Sequence, residues 1–364
     1  MKTITITYHH TTNYGASLQA YALQKMLISL GCENEIFEYP YTKTKLKISI
    51  KNPRSILIAI YLKFFLCLRR KQSNKLQFLF KEFHEKYLKV TRIYKSLEDA
   101  KSNLLEYDCA VTGSDQVWKL STMPEFVPIR FLDFGNDSMV RFSYAASIES
   151  LNYSDKQKEY VRNILKTFKG ISVREESAKN YLESFINETC KVVLDPVFLL
   201  KKEDWDLIAQ KPRIEGPYIL CYQVIGNKRM QEVANLLKKR TNYPIVSVCN
   251  GVTKWIVSDY TFYDVSPEEF LGFYKNASIV ISASFHGTAF GIIYQKPIYS
   301  LVKQNSSNRI KDLLSMLKLD KYIIDEDALI EYSIPNYKEV SQILDVKINE
   351  SMNFLRSMLY DSCK

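Results

Sequence analysis

ASIVISASFHGTAFGIIYQKPIYSLV, residues 277–302, holds a strand, a loop, a helix and a second strand in one short stretch. The run ending at Ser282 is apolar without alternation, as expected of a strand covered on both faces of a parallel sheet. The small polar residues ASFHG then turn the chain. TAFGIIY fits a helix over 288–294, and a second apolar run over 297–302 opens on a proline. Two parallel strands can be joined only through such a crossover.

The same alternation extends outward in both directions. Toward the C-terminal side of residue 217 it gives a strand over 218–223, a helix over 228–240, a strand over 245–249 and a helix over 266–276, the last opened by Ser266 and Pro267, a cap followed by a first-turn proline. Nearer the N-terminus, residues 3–8 alternate as a strand. Asn13, Tyr14 and Gly15 turn the chain into a helix whose apolar positions recur to Leu27 and which Gly31 stops, and a second strand begins at Ile36. CAVTGSD (109–115) and RFSYAAS (141–147) read as strands entering loops, with helices over 97–105 and 154–168. A short strand over 171–173 precedes a helix from Glu175, and CKVVLDPVFLL (190–200) closes this half with an Asp-Pro turn. Strands alternating with helices of this length specify an α/β protein with a mostly parallel sheet in each half, that is, two Rossmann-like domains facing across a cleft.

A chain of 364 residues suits two domains. The reading places a linker between Lys201 and Pro217, where KPRIEGP (211–217) supplies two prolines and a glycine, giving an N-terminal domain over 1–205, a C-terminal domain over 206–340, and a helix within 341–364 that packs back on the first domain. A basic and apolar helical insertion occupies about 45–95. Residues 56–68 there are almost continuously apolar, bounded by Arg54 on one side and Arg69, Arg70 and Lys71 on the other. The run is interrupted by Lys63 and is shorter than the roughly 20 residues that cross a bilayer. It reads either as a buried helix under a basic loop or as an interfacial helix, with residues 54–71 contacting an anionic membrane.

The formal net charge of +10 admits anionic small substrates or an anionic surface. No nucleic-acid-binding signature accompanies it, so nucleic acid is not an expected partner. The seven cysteines are scattered without a CxxC pair, and the N-terminus has no apolar leader. These features indicate neither a disulfide framework nor a zinc knuckle, and place the protein in the cytoplasm.

In open α/β sheets ligands bind beyond the C-terminal ends of the strands. That rule selects the loops at 8–17, 113–118, 143–147, 174–177, 195–196 and 282–288. In the last of these, Ser284, His286, Gly287 and Thr288 stand at a helix start, where open N–H groups and the dipole favour a phosphate or carboxylate. His286 can donate to such an anion or exchange a proton with it. Asp115 is the carboxylate candidate for acid/base work, with a loop-shaping Asx turn as its structural alternative. Arg174 and Arg309 are candidate anion clamps, and Arg174 could instead pair with a carboxylate such as Glu175. Asn13, Tyr14 and Gly15 fit a loop that closes over a ligand, joined at the cleft by His9 and Asp195. His9 and His10 are neighbours on a strand and so face opposite ways, which leaves at most one of them lining the cleft. No GxGxxG, Walker A, GxSxG or HExxH motif is present, and no metal site or cofactor is expected.

Taken together and in order, NYGASLQAYAL (13–23), GSDQVW (113–118), SYAAS (143–147), ISVREESAKNYL (171–182), VVLDPVFLL (192–200) and VISASFHGTAFGIIYQKPI (280–298) resemble the polysaccharide pyruvyl transferase family. The resemblance implies a fold similar to the two-domain GT-B glycosyltransferases. It also implies transfer of the three-carbon unit of phosphoenolpyruvate to hydroxyls of a sugar in a cell-surface polysaccharide or its precursor, leaving a pyruvate ketal and phosphate. His286 matches the family's histidine at the donor phosphate. Many members place an arginine two residues before it; here that position is Ser284, as in a branch whose loop reads SFHG, and Arg174 or Arg309 can supply the charge. Asp115 and His286 are then the candidates for the two proton transfers. Implied partners are phosphoenolpyruvate and a glycan or lipid-linked oligosaccharide, met at the inner face of the cell membrane. Two alternatives are a glycosyltransferase with a nucleotide-sugar donor and an inactive glycan-binding protein of the same fold.

Overall fold

The computed structural model describes residues 1–38, 70–94, 96–121, 124–148, 151–224, 228–249, 256–302, 308–325, 328 and 330–360. The apolar run at 56–68, with most of the expected membrane-contacting segment, lies outside them.

Two parallel sheets organise the chain. The first is built from β1 (Lys2–Ile6), β2 (Glu33–Ile36), β3 (Cys109–Thr112) and β4 (Val140–Ser143) in the order β2-β1-β3-β4. Beyond β4 the pair β5 (Ile171–Val173) and β6 (Cys190–Val192) continues it through bridges Phe142 to Gly170 and Ala146 to Val173. The second contains β7 (Ile219–Gln223), β8 (Ile245–Cys249), β9 (Tyr260–Phe262), β10 (Ile279–Ser282), β11 (Ile298–Leu301) and β12 (Ile323–Ile324). Its order, β12-β11-β10-β7-β8-β9, is the doubly wound Rossmann arrangement. Every residue of β3, β7, β8, β10 and β11 is buried, as expected for strands covered by helices on both faces.

In each sheet the strand order reverses at one point, between β1 and β3 in the first and between β7 and β10 in the second. Crevices form at such switch points. The aromatic core that joins the halves surrounds them. Tyr14 stacks on Phe270 with ring centroids 4.3 Å apart and tilts against Phe80 at 5.0 Å. Trp205, in the short connection between the sheets, meets Tyr21 on one side and Phe290 on the other. Phe80 belongs to a helix, Arg70–Tyr87, whose buried face is Leu76, Phe80 and Phe83.

The C-terminal helix Tyr337–Tyr360 crosses back to the first sheet. Its buried Met352, Phe354, Leu355, Met358 and Leu359 share a core with Leu23, Cys109 and Phe142. Lys169 Nζ donates to the carbonyls of Ser357 and Met358 at 2.9 and 3.0 Å, and the Tyr360 hydroxyl donates to Leu30 O at 2.6 Å, tying off the last turn. Gly170 permits this docking, because a Cβ there would lie 2.5 Å from Met358 Sδ. No helix among the described residues is long and apolar enough to cross a membrane.

Candidate active site

Asp195 sits at the centre of the site. It follows β6, is 1% exposed, and opens a 3₁₀ turn by accepting from Val197 N–H at 3.1 Å through Oδ1. Its other oxygen, Oδ2, collects groups from three further elements. The Ser114 hydroxyl, beyond β3, donates at 2.8 Å; Arg174 Nη1, beyond β5, donates at 2.8 Å; and His286 Nε2, from the second half, lies 3.4 Å away. Burial pushes the Asp195 carboxyl up, but His286 and Arg174 outweigh it and hold the group well below the usual carboxylate range. Asp195, expected among the acceptor-side cleft residues, instead has its oxygens engaged inside the protein, where it positions Arg174 and His286.

Arg174 is almost wholly buried. Its guanidinium lies over the Phe285 ring at 4.3 Å, and Nε is 3.5 Å from Glu175 Oε2. Thus both readings of Arg174 meet, since it is paired with carboxylates while Nε and Nη2 have no hydrogen-bond partner. Burial works against its charge, and Asp195, Glu175 and Asp115 more than offset that. Glu175 accepts from the Ser147 hydroxyl at 2.7 Å and Ile148 N–H at 3.2 Å. Burial raises its pKa despite the opposing effects of Arg174 and Arg309.

His286 belongs to the helix Phe285–Ile293, which starts three residues earlier than the pattern TAFGIIY implied. Ser284 is the N-cap residue, yet its side chain makes no cap bond. The open amides at this end are therefore those of Phe285, His286 and Gly287. Thr288 is corrected by the same observation: its N–H donates to Ser284 O at 2.9 Å, and its hydroxyl, fully buried, pairs with Ser300 at 2.9 Å, away from any ligand. Gly287 is needed for packing, because a Cβ would meet Ser282 Oγ at 2.1 Å. Arg309 opens the helix Asn308–Met316 and reaches across to the first half. With the Gln116 amide oxygen turned toward it, that oxygen accepts from Nη1 at 3.2 Å and Nη2 at 3.0 Å.

Asp115 shows the features of its structural alternative. Its φ is +72°, its Oδ1 accepts from Gln116 N–H at 2.9 Å, and its carbonyl accepts from Val117 and Ser147. It nevertheless lies near enough to strengthen the charge on Arg174.

The N-terminal loop is placed differently from expectation. Asn13 spends its side chain on capping the helix Tyr14–Ser29, accepting from Gly15 and Ala16 N–H. Tyr14 is fully buried between the halves and donates to Val265 O at 3.0 Å, so it packs the interface instead of lining the cleft. Gly15 allows a close approach, though to protein: a Cβ would fall 2.1 Å from His286 Nδ1. His9 is also buried, with Nε2 2.9 Å from Glu38 Oε2, and does not line the cleft. Around it gather His10 and His84, with ring centroids 5.7 and 5.9 Å from its own. Burial first, and then His9, push His10 and His84 down to about 4, so both are neutral near pH 7. Among the described residues no group of three or more His, Cys, Asp or Glu side chains is arranged to hold a metal ion.

A cavity of about 340 Å³ adjoins the cluster, lined among others by Arg174, Asp195, Phe198, Phe285, Asp312 and Lys347. Sequence reasoning named Glu175 only as a partner for Arg174 and missed Ser114 and Ser147. The signal for all three was present, since each stands just after an apolar strand.

The chain belongs to the polysaccharide pyruvyl transferase family, whose sequence profile matches residues 13–302, and it is an enzyme of the transferase class. That span carries every residue of the cluster except Arg309. Two solved structures share its fold. One is a putative UDP-N-acetylglucosamine 2-epimerase from Listeria monocytogenes, with 11% identity, 99% of this chain and 97% of that chain covered, and a TM-score of 0.52. The other is a UDP-N-acetylglucosamine 2-epimerase with 10% identity, coverage of 99% and 96%, and a TM-score of 0.50. At these identities the likeness establishes two Rossmann-like α/β domains. No curated protein matches the chain.

Proposed function

We propose that the protein transfers the pyruvyl unit of phosphoenolpyruvate to two hydroxyls of a sugar in a cell-surface polysaccharide or its precursor, forming a ketal and releasing phosphate. The observation that carries this reading is the meeting of His286, Arg174 and Asp195 at a helix start whose first amides, those of Phe285, His286 and Gly287, donate to no carboxylate among the described residues. Phosphoenolpyruvate brings a phosphate and a carboxylate. The open amides suit one of them, and Arg174, whose Nε and Nη2 make no hydrogen bond, suits the other. Arg309, from the facing half, supplies a second guanidinium where many relatives have an arginine at the position of Ser284.

His286 is the proton acceptor for the attacking hydroxyl. A buried carboxylate held beside an imidazole orients it and stabilises the imidazolium that forms. Asp195 fills that part, and Gly15 lets the ring stand against the first half. The acceptor is a glycan or a lipid-linked oligosaccharide, and the exposed Arg70 and Lys71 flank the apolar run that would hold the enzyme at an anionic membrane surface. A GT-B-type reading with a nucleotide-sugar donor draws support from the fold shared with two enzymes named for a UDP-sugar, because a helix start that suits a phosphate also suits a diphosphate.

The test is incubation of the protein with acceptor glycan and either phosphoenolpyruvate or a panel of UDP-sugars, followed by phosphate assay and mass spectrometry of the glycan. We expect acceptor-dependent phosphate release and a ketal only with phosphoenolpyruvate. Glycosyl transfer from a UDP-sugar, with phosphoenolpyruvate inert, would overturn the proposal.

A further inference from the structure

Glu175 stands at the N-cap position of the helix Glu176–Glu183 but makes no side-chain cap bond to it. The side chain turns back into the cluster. Its Oε1 is fixed by the Ser147 hydroxyl at 2.7 Å and Ile148 N–H at 3.2 Å, which leaves Oε2 as the working oxygen. Oε2 is buried, 3.5 Å from Arg174 Nε, and has no hydrogen-bond partner. The same holds for Arg174 Nε and Nη2. Three polar atoms on two buried, facing side chains are thus without hydrogen bonds. A buried polar atom left without a partner is costly, and several of them at one point suit a place where a polar ligand completes the bonding.

We infer that Glu175 is the acid that protonates the methylene carbon of the donor, a role that rests on the pyruvyl-transfer reading above. An enol phosphate becomes electrophilic at C2 only when its terminal carbon gains a proton, and a buried carboxyl with one oxygen fixed by Ser147 and Ile148 and the other beside Arg174 is placed to deliver one. Burial favours the neutral form of Glu175. The charged groups about it are Arg174 on its own loop, Arg309 from the facing helix, and, through Arg174, Asp115 and Asp195. Asp312 lies against the start of the next helix, near Glu176 and Ser177 N–H.

In the step, the proton leaves Oε2 and the C2–C3 π pair becomes the new C3–H bond. C2 is left as an oxocarbenium centre, and the Glu175 carboxylate is stabilised by Arg174 and Arg309. The first sugar hydroxyl adds to C2 as His286 takes its proton. The C2–O bond to phosphate then breaks with the pair going to phosphate, and the second hydroxyl closes the ketal. Of the two hydroxyl protons, one leaves with phosphate and the other restores Glu175.

The variant Glu175→Gln keeps the oxygen that Ser147 and Ile148 bind, so the fold is retained. We expect kcat to fall by about 100-fold or more, while affinity for phosphoenolpyruvate, read by calorimetric titration, stays level because the amide keeps the size and charge of the acid form it replaces. Glu175→Asp, which keeps the acid, recovers part of the loss. In D2O the wild-type ketal carries one deuterium in its methyl group. A Glu175→Gln enzyme with kcat within threefold of wild type overturns the assignment. So does a variant with weakened donor binding and unchanged kcat, which makes Glu175 a structural partner of Arg174, and so does Asp performing no better than Gln. In each case wild-type ketal formation leaves the pyruvyl reading standing. A wild type that forms no ketal removes both.

Discussion

The Asp195 carboxylate takes hydrogen bonds from Ser114 and Arg174, approaches His286, and has almost no contact with solvent. A buried ion pair is costly to break one-sidedly, because the surviving charge keeps its desolvation without its partner. Asp195→Ala should therefore destabilise the protein by about 3–5 kcal/mol, measured by urea denaturation. A loss below about 1 kcal/mol would mean that Arg174 finds solvent or another partner easily, and that the cluster is looser than the distances imply. The identity of these residues was legible, since Arg174, Asp195 and His286 each follow an apolar strand. Their division of labour was not. Asp-Pro reads equally as a cleft loop or a buried turn, and the deciding partners lie 21 residues back at Arg174 and in the other half of the chain at His286.

Two helix starts face each other across the site. The Tyr14–Ser29 helix presents Gly15, and the Phe285–Ile293 helix presents His286, close enough that no side chain fits between them. Gly15→Ala should push the imidazole away from Asp195 or part the two helix ends, and a displacement of about 1 Å can cost about 100-fold in rate. Transferase activity should fall on that scale, and the urea midpoint should fall too, since overpacking a buried contact costs about 1–3 kcal/mol. Full activity in this variant would show that His286 has room to work elsewhere. Strands such as Ile245–Cys249 and Ile171–Val173 could be read to the residue because their apolar runs have sharp polar edges. The start of the His286 helix could not, because Ser284 caps it without a side-chain bond and gives no capping pattern. The Arg70–Tyr87 helix lies within the helical insertion expected over about 45–95, but with three buried residues among many charges its bounds were not legible, while Tyr260–Phe262 and Ile323–Ile324 are too short to carry a period.

At the scale of the molecule, alternation of strands and helices was enough to specify two parallel sheets, but strand order is a tertiary fact. The switch points between β1 and β3 and between β7 and β10 arise from pairing. So does the direct involvement of the second half in the first, through Arg309 to Gln116 and His286 to Asp195. One small anion bound where the halves meet is the claim on which the mechanism stands. A crystal structure of the protein soaked with phosphoenolpyruvate tests it most directly. We expect density for a phosphate or carboxylate within hydrogen-bonding distance of the Phe285, His286 and Gly287 amides, and for the second anionic group against Arg174. An anion held only at the loops of the first sheet, or none at saturating concentration, would contradict it.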